Sequence, residues 1–164
     1  MGQAVVEAPS ALTADLAWLL ARASHNLNIE LQAALESIGL AHRAHCVLRG
    51  AMEGEYTQIE LARLSGVDKT TMVGLIDELE AAGLAERKPS PTDRRKRVIA
   101  VTKAGEQKTA EADALVAQVR DDVLSALPAE DREQFMTSLM RLTCERLNEA
   151  MPCSAPPRRP RTAT

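Results

Sequence analysis

Between Arg87 and Arg97 six basic side chains (Arg87, Lys88, Arg94, Arg95, Lys96 and Arg97) face a single acid, Asp93, giving +5 over eleven residues. The whole chain carries −3, so the rest of it totals −8. A basic cluster on an otherwise acidic chain neutralises phosphate along one edge, because polyanion binding depends on where charge sits and not on its sum. A second group of residues suits the same chemistry. Lys69, Thr70 and Thr71 open a helix whose outward positions continue with Val73, Gly74 and Asp77. Free amides and the positive end of a helix dipole meet phosphate there, while short side chains reach base edges in a major groove. The candidate nucleic-acid contacts are Thr57, Gln58, Lys69, Thr70, Thr71, Val73, Gly74, Arg87, Lys88, Arg94, Arg95 and Lys96.

Other chemistries find less. The three histidines, His25, His42 and His45, have no nucleophile partner, and there is no glycine-rich phosphate loop or paired-carboxylate motif, so no enzyme is expected. His42 and His45 share a helix face with Cys46 near them, but a third and fourth metal ligand cannot be named, and neither metal nor cofactor is expected. Thiol-based redox sensing needs an exposed thiol of low pKa. Cys46 lies beside Val47 and Leu48 and reads as a small buried residue, Cys144 sits in the last helix and Cys153 in the tail. Three widely spaced cysteines fit neither a disulfide framework nor a zinc pattern and point to a reducing cytoplasm.

The elements that must position these residues are nearly all helical. With 164 residues, 45% hydrophobic and 26% charged, the chain suits one compact domain or one domain with extensions. Its only aromatics are Trp18, Tyr56 and Phe135, so the core is aliphatic. A pI near 5.7 excludes a uniformly basic binder. No run of 18 apolar residues is present, so no membrane span is expected, and the N-terminus lacks the basic start of a signal peptide.

Thr13 is read as the N-cap of a helix running to about Ile38 and ended by Gly39, with Leu16, Leu20, Leu27, Leu31, Leu35 and Ile38 on one side. A second helix spans about His42 to Met52. Thr57-Gln58-Ile59-Glu60 is a capping box with Tyr56 and Leu61 as its hydrophobic staple. Ala62 and Gly66 give helix-turn-helix spacing to the next helix, capped by Asp68 and ended by Gly83, with Met72, Leu75, Ile76 and Leu79 inward. Runs Leu84 to Lys88 and Arg97 to Val101 make a hairpin around Pro89-Ser90-Pro91-Thr92-Asp93. Thr102 caps a helix to about Leu127, and after Pro128 a sixth runs to about Ala150. The fold class is mainly α: a winged helix-turn-helix with a two-stranded wing. The recognition helix would enter the major groove and the wing's Arg the adjacent minor groove.

Leu61-Ala62, Gly66-Val67-Asp68-Lys69-Thr70-Thr71-Met72-Val73, Leu79-Glu80, Gly83-Leu84 and Pro91-Thr92-Asp93-Arg94-Arg95 resemble the MarR family of winged-helix regulators. So does the wing pattern of Asp93, Arg95, Val98, Ile99 and Thr102, with Val101 where Leu is usual. The likeness covers about residues 16 to 148. It implies a homodimer built from the N- and C-terminal helices and a palindromic operator. It also implies repression, with release by a small ligand or by oxidation. It places Arg94 in the minor groove, with Asp93 and Arg95 shaping the wing. Relatives bind aromatic acids between the first two helices and the DNA-binding lobe. Trp18, Arg22 and His25, on one helix face, with His42 and His45, are therefore the expected effector contacts. The alternative is a surface or dimer salt bridge for Arg22, a solvated His25 and a satisfied core His45.

The expected organisation is a flexible 1–12, N-terminal dimer and ligand helices over 13–54, and a winged DNA-binding lobe over 55–102. C-terminal dimer helices over 103–150 and a disordered tail over 151–164 complete it. Two rival functions remain open on sequence: a thiol-based redox regulator of the same fold, and a winged-helix protein-interaction module that binds no DNA. Acidity late in the recognition helix, at Asp77, Glu78 and Glu80, and the bare Gly74 suggest sparse base reading, with more specificity resting on the wing.

Overall fold

The computed structural model describes residues 9–148. Its elements run α1 (Ser10–Thr13), α2 (Leu16–Glu36), α3 (His42–Met52), α4 (Gln58–Leu64), α5 (Lys69–Ala81), β1 (Ala85–Pro89), β2 (Arg97–Val101), α6 (Lys103–Leu124) and α7 (Ala129–Arg141), followed by a π-helical turn, Leu142–Arg146. This is the mainly helical architecture with a two-stranded wing that the sequence predicts. The described residues divide into two compact units, 9–121 and 122–148.

In the first unit the long N-terminal helix starts later than expected. Asp15 is its cap, accepting from the Trp18 amide at 2.9 Å. Thr13 instead closes the single turn α1, its hydroxyl donating to the Ser10 carbonyl at 3.0 Å. Residues 10–12, expected within a flexible segment, are therefore helical. The helix ends at Glu36, and Gly39 takes the left-handed exit at φ +67°. α3 has no side-chain cap of its own: the Gln32 side chain on α2 accepts from the His42 amide at 3.2 Å.

The core is aliphatic, as the composition requires. Leu35 of α2, Val47 and Leu48 of α3, Leu61 of α4 and Met72 and Ile76 of α5 are completely buried. Each contributes about 1.5–3 kcal/mol by leaving water. The apolar face of α2 is buried only in part, because Leu31 and Leu35 are covered while Leu16 stays 58% exposed. Leu12, Leu19 and Ile29 are exposed as well.

The sheet is one antiparallel pair with Ala85 opposite Val101, Arg87 opposite Ile99 and Pro89 opposite Arg97. It is anchored on both sides. The Ile99 amide donates to the Tyr56 carbonyl at 2.9 Å, and the Thr102 hydroxyl donates to the Gly83 carbonyl at 2.7 Å. Thr102 also caps α6, accepting from the Gly105 amide at 3.0 Å. A Cβ at Gly105 would overlap the Leu84 carbonyl, so only glycine allows α6 this close to the hairpin.

In the second unit no described residue of α7 is buried. Phe135, Met136, Met140 and Leu147 are exposed. The Arg132 guanidinium donates to the Leu127 carbonyl at 3.1 Å, tying the start of α7 to the turn before it. The helix expected to reach Ala150 loses α geometry at Arg141. The Leu147 amide bonds the Leu142 carbonyl five residues back at 2.9 Å. Ala150, Cys153 and the tail 151–164 lie outside the described residues. No helix among the described residues is long and apolar enough to cross a membrane.

Candidate nucleic-acid interface

The helix-turn-helix is set by local chemistry. The Thr57 hydroxyl accepts from the Glu60 amide at 3.3 Å, and the Glu60 carboxylate accepts from the Thr57 amide at 2.7 Å. These bonds, the Thr57 amide first and its hydroxyl next, hold the Glu60 carboxyl below its ordinary pKa. Gly66 turns the chain at φ +62°, and the Val67 amide closes onto the Ala62 carbonyl at 3.0 Å. Asp68 then caps α5, accepting from the Thr70 and Thr71 amides at 2.9 and 3.0 Å and from the Thr71 hydroxyl at 2.6 Å. The Thr71 hydroxyl is the largest influence holding the Asp68 carboxyl below its ordinary pKa.

The recognition helix thus presents Lys69, Thr70, Val73 and Gly74, all exposed. Thr71 is half-buried and its hydroxyl is spent on the cap. A Cβ at Gly74 would meet nothing within 4 Å, so this side of α5 is flat and open.

Arg87 departs from expectation. Its guanidinium donates to Asp77 at 2.7 Å, to Gln58 at 3.1 Å and to Glu80, and its backbone amide donates to Glu80 at 2.7 Å. Only 29% exposed, it is a clasp between β1, α5 and the start of α4 rather than a free phosphate contact. Arg87 and Gln58, both expected among the nucleic-acid contacts, are thus paired with each other, and Arg87 with the acids Asp77 and Glu80. Lys88 pairs with Glu86 on the same strand.

The uncommitted charge is at the wing tip. Arg94, Arg95, Lys96 and Arg97 are exposed and form no ion pair among the described residues. The loop that carries them is built around two short side chains. Asp93 accepts from the Arg95 amide at 3.0 Å, and the Lys96 amide donates to the Asp93 carbonyl at 2.9 Å. Sequence reasoning missed the second, Ser90. It is 3% exposed, accepts from the Thr92 and Asp93 amides at 3.2 Å each, and donates to Glu55 at 3.0 Å. Its place between two prolines was the available cue.

The expected effector residues do not line a single cleft. The exposed Arg22 guanidinium lies 5.4 Å from the centre of the half-buried Trp18 ring, a cation–π pair along α2. A cleft of about 330 Å³ opens elsewhere, with Asn28, His42, Arg43 and Cys46 on one wall and Ser65 to Asp68 on the other. Neither Trp18, Arg22 nor His25 lines it. His45 is buried beneath, 3% exposed, with Nε2 2.7 Å from Asp113. Cys46, expected to be buried, is exposed; partial desolvation nonetheless raises its thiol pKa, the opposite of what a peroxide-reactive thiol needs.

A helix-turn-helix followed by a hairpin with a basic tip defines a winged-helix protein. Residues 38–96 match a sequence model of the MarR family. The fold is similar to that of a MarR-family transcriptional regulator from Rhodococcus sp. RHA1, at 29% identity and a TM-score of 0.75, over 84% of this chain and 99% of that one. It is also similar to CouR from Rhodococcus jostii RHA1 bound to p-coumaroyl-CoA, at 29% identity and a TM-score of 0.74, over 89% and 100% of the two chains. The transcriptional repressor CouR bound to a 23-mer DNA duplex matches at 26% identity and a TM-score of 0.72, over 85% and 100%. In residues 38–96 and in its fold, the chain is similar to MarR-family winged-helix transcription regulators.

Proposed function

We propose that the protein is a homodimeric repressor that binds a palindromic operator and leaves it when a small aromatic acid binds. The observation that carries this is the pairing of an open α5 face, Lys69, Thr70, Val73 and Gly74, with a wing tip whose four basic residues are unpaired among the described residues. The tip residues fit a minor groove, where Arg94 gains from the focused negative potential, and the flat α5 face fits the adjacent major groove. Arg87, Gln58, Asp77 and Glu80 hold the two in fixed relation.

The exposed apolar faces support the dimer. Leu16 and Leu19 on α2, and Phe135 and Met140 on α7, are large side chains that a second copy would cover. For the effector, the cleft beside His42 has the volume of a small-ligand site, and Arg43 on its wall offers a carboxylate partner.

Binding to the promoter beside its own gene, followed by fluorescence anisotropy across a salt series, tests the reading. The expected logarithmic slope is about −0.9 per phosphate contact. A flat salt response would favour a protein-interaction module. Aromatic carboxylates should lower operator affinity, and no response across a broad panel would remove the effector.

A further inference from the structure

His42, His45 and Cys46, one turn of α3, each bring a donor atom within 4.8 Å of the other two. The outer contacts of the two imidazoles leave the right nitrogens free. His42 Nδ1 is 3.1 Å from the Asn28 side-chain oxygen, so it carries the proton and donates, leaving Nε2 as a lone pair. His45 Nε2 is 2.7 Å from the Asp113 carboxylate and donates to it, leaving Nδ1 as a lone pair. That Nδ1 is buried and has no hydrogen-bond partner among the described residues. A buried acceptor without a partner costs free energy, and here it belongs to a ring already oriented by a carboxylate.

We propose that His42 Nε2, His45 Nδ1 and Cys46 Sγ form a site for a borderline divalent cation, with Zn²⁺ the best fit. The separation of His42 from Cys46 suits it. His42 Nε2 and Cys46 Sγ are 3.6 Å apart. A tetrahedral zinc with bonds of about 2.0–2.1 Å to nitrogen and about 2.3 Å to sulfur needs about 3.6 Å between those atoms. Asn28 and Asp113 act as the outer partners that fix ring orientation at metal-bound histidines. Two imidazoles and a thiolate select zinc over the hard cations magnesium and calcium. The fourth position faces the cleft and falls to water or an exogenous ligand. Without metal, the Cys46 thiol donates to His42 Nε2 across the same 3.6 Å. On binding, the sulfur gives up its proton to solvent and becomes a metal thiolate.

Protonation agrees in sign. Burial, followed by nearby His45 and Arg43, lowers the His42 pKa, which favours a ring with a free lone pair. Metal uptake by a thiol releases its proton. The inference rests on donor geometry alone and does not depend on DNA binding.

The test is a Co²⁺ titration of the full chain carrying Cys144→Ser and Cys153→Ser, so that Cys46 is the only thiol. A sulfur-to-cobalt charge-transfer band saturating at one equivalent per chain and displaced by Zn²⁺ is expected. Adding Cys46→Ser should abolish the band, and Asn28→Ala, at an exposed position, should weaken affinity about 10–100-fold. Circular dichroism confirms that each variant is folded. Absence of the band in the single-thiol protein, or cobalt binding of equal affinity after Cys46→Ser and after His42→Gln, would overturn the site.

Discussion

Glu80 grips Arg87 twice, accepting its backbone amide at 2.7 Å with one carboxylate oxygen and its guanidinium with the other. Helix α5 and strand β1 are thereby fastened to each other at the point where the wing leaves the recognition helix. Asp77 and Gln58 complete the clasp. A guanidinium held by two carboxylates and an amide has little charge left for DNA. Arg87→Ala should therefore lower folding stability by about 1–3 kcal/mol, the cost of leaving charged partners unsatisfied. It should weaken operator binding without changing the salt slope. A slope reduced by about 0.9 would show that Arg87 meets a phosphate after all.

The clasp also shows what a sequence can and cannot carry. Thr57 with Glu60, Asp68 with Thr71, and the glycine exits at Gly39, Gly66 and Gly83 were legible because cause and effect lie within a few residues. The Arg87 contacts to Gln58 and Glu80 span 29 and 7 residues and join different elements, so counting charge along the chain registered a free cation. His45 and Asp113, 68 residues apart, were beyond reach for the same reason. At the N-terminus Thr13 was read as the cap, and the folded backbone puts the cap two residues on, at Asp15. The π turn at Leu142–Arg146 has no residue type that announces it.

The wing tip and the recognition helix should differ in how they fail. Arg94 is exposed and unpaired among the described residues, on a loop fixed by Asp93 and Ser90. Arg94→Ala should weaken operator binding more than Thr70→Ala and should reduce the salt slope. The reverse order, measured by anisotropy on one duplex, would move the main contact to α5. Ser90→Ala should resemble a milder Arg94→Ala, because it frees the loop from Glu55 without removing a charge.

The apolar side chains on α2 and α7 predict the oligomeric state. Leu16, 58% exposed, and Met140, 58% exposed, contribute little to the core of the single chain. Leu16→Glu and Met140→Glu should keep native helicity yet shift sedimentation equilibrium toward monomer and lower operator affinity with it. A monomeric parent chain, or dimers that tolerate both charges together, would remove these faces from the interface.

Acid should loosen the DNA-reading lobe through its caps. The Glu60 and Asp68 carboxyls have lowered pKa values in the fold, with the Thr57 amide and the Thr71 hydroxyl the leading causes. A depressed carboxylate pKa gives stability that is fully present above the unfolded value, about 4. It is lost as pH falls through the lower folded value. The pH dependence of unfolding below about 4 should therefore flatten in Asp68→Asn, which keeps an acceptor at the cap but cannot titrate. An unchanged acid profile would assign the loss to other carboxylates.

Gly74 separates fold from recognition. It lies within α5, where glycine costs about 0.8–1.0 kcal/mol relative to alanine, and a Cβ there meets nothing within 4 Å of the protein. Gly74→Ala should therefore stabilise the chain by about 1 kcal/mol, seen as a higher Tm. The same methyl stands on the flat face proposed to lie against the major groove, between exposed Thr70 and Asp77. Operator affinity should fall while stability rises, and opposite signs cannot come from a general loosening of the fold. Equal affinity in a stabilised variant would place the face of α5 at Gly74 away from the DNA.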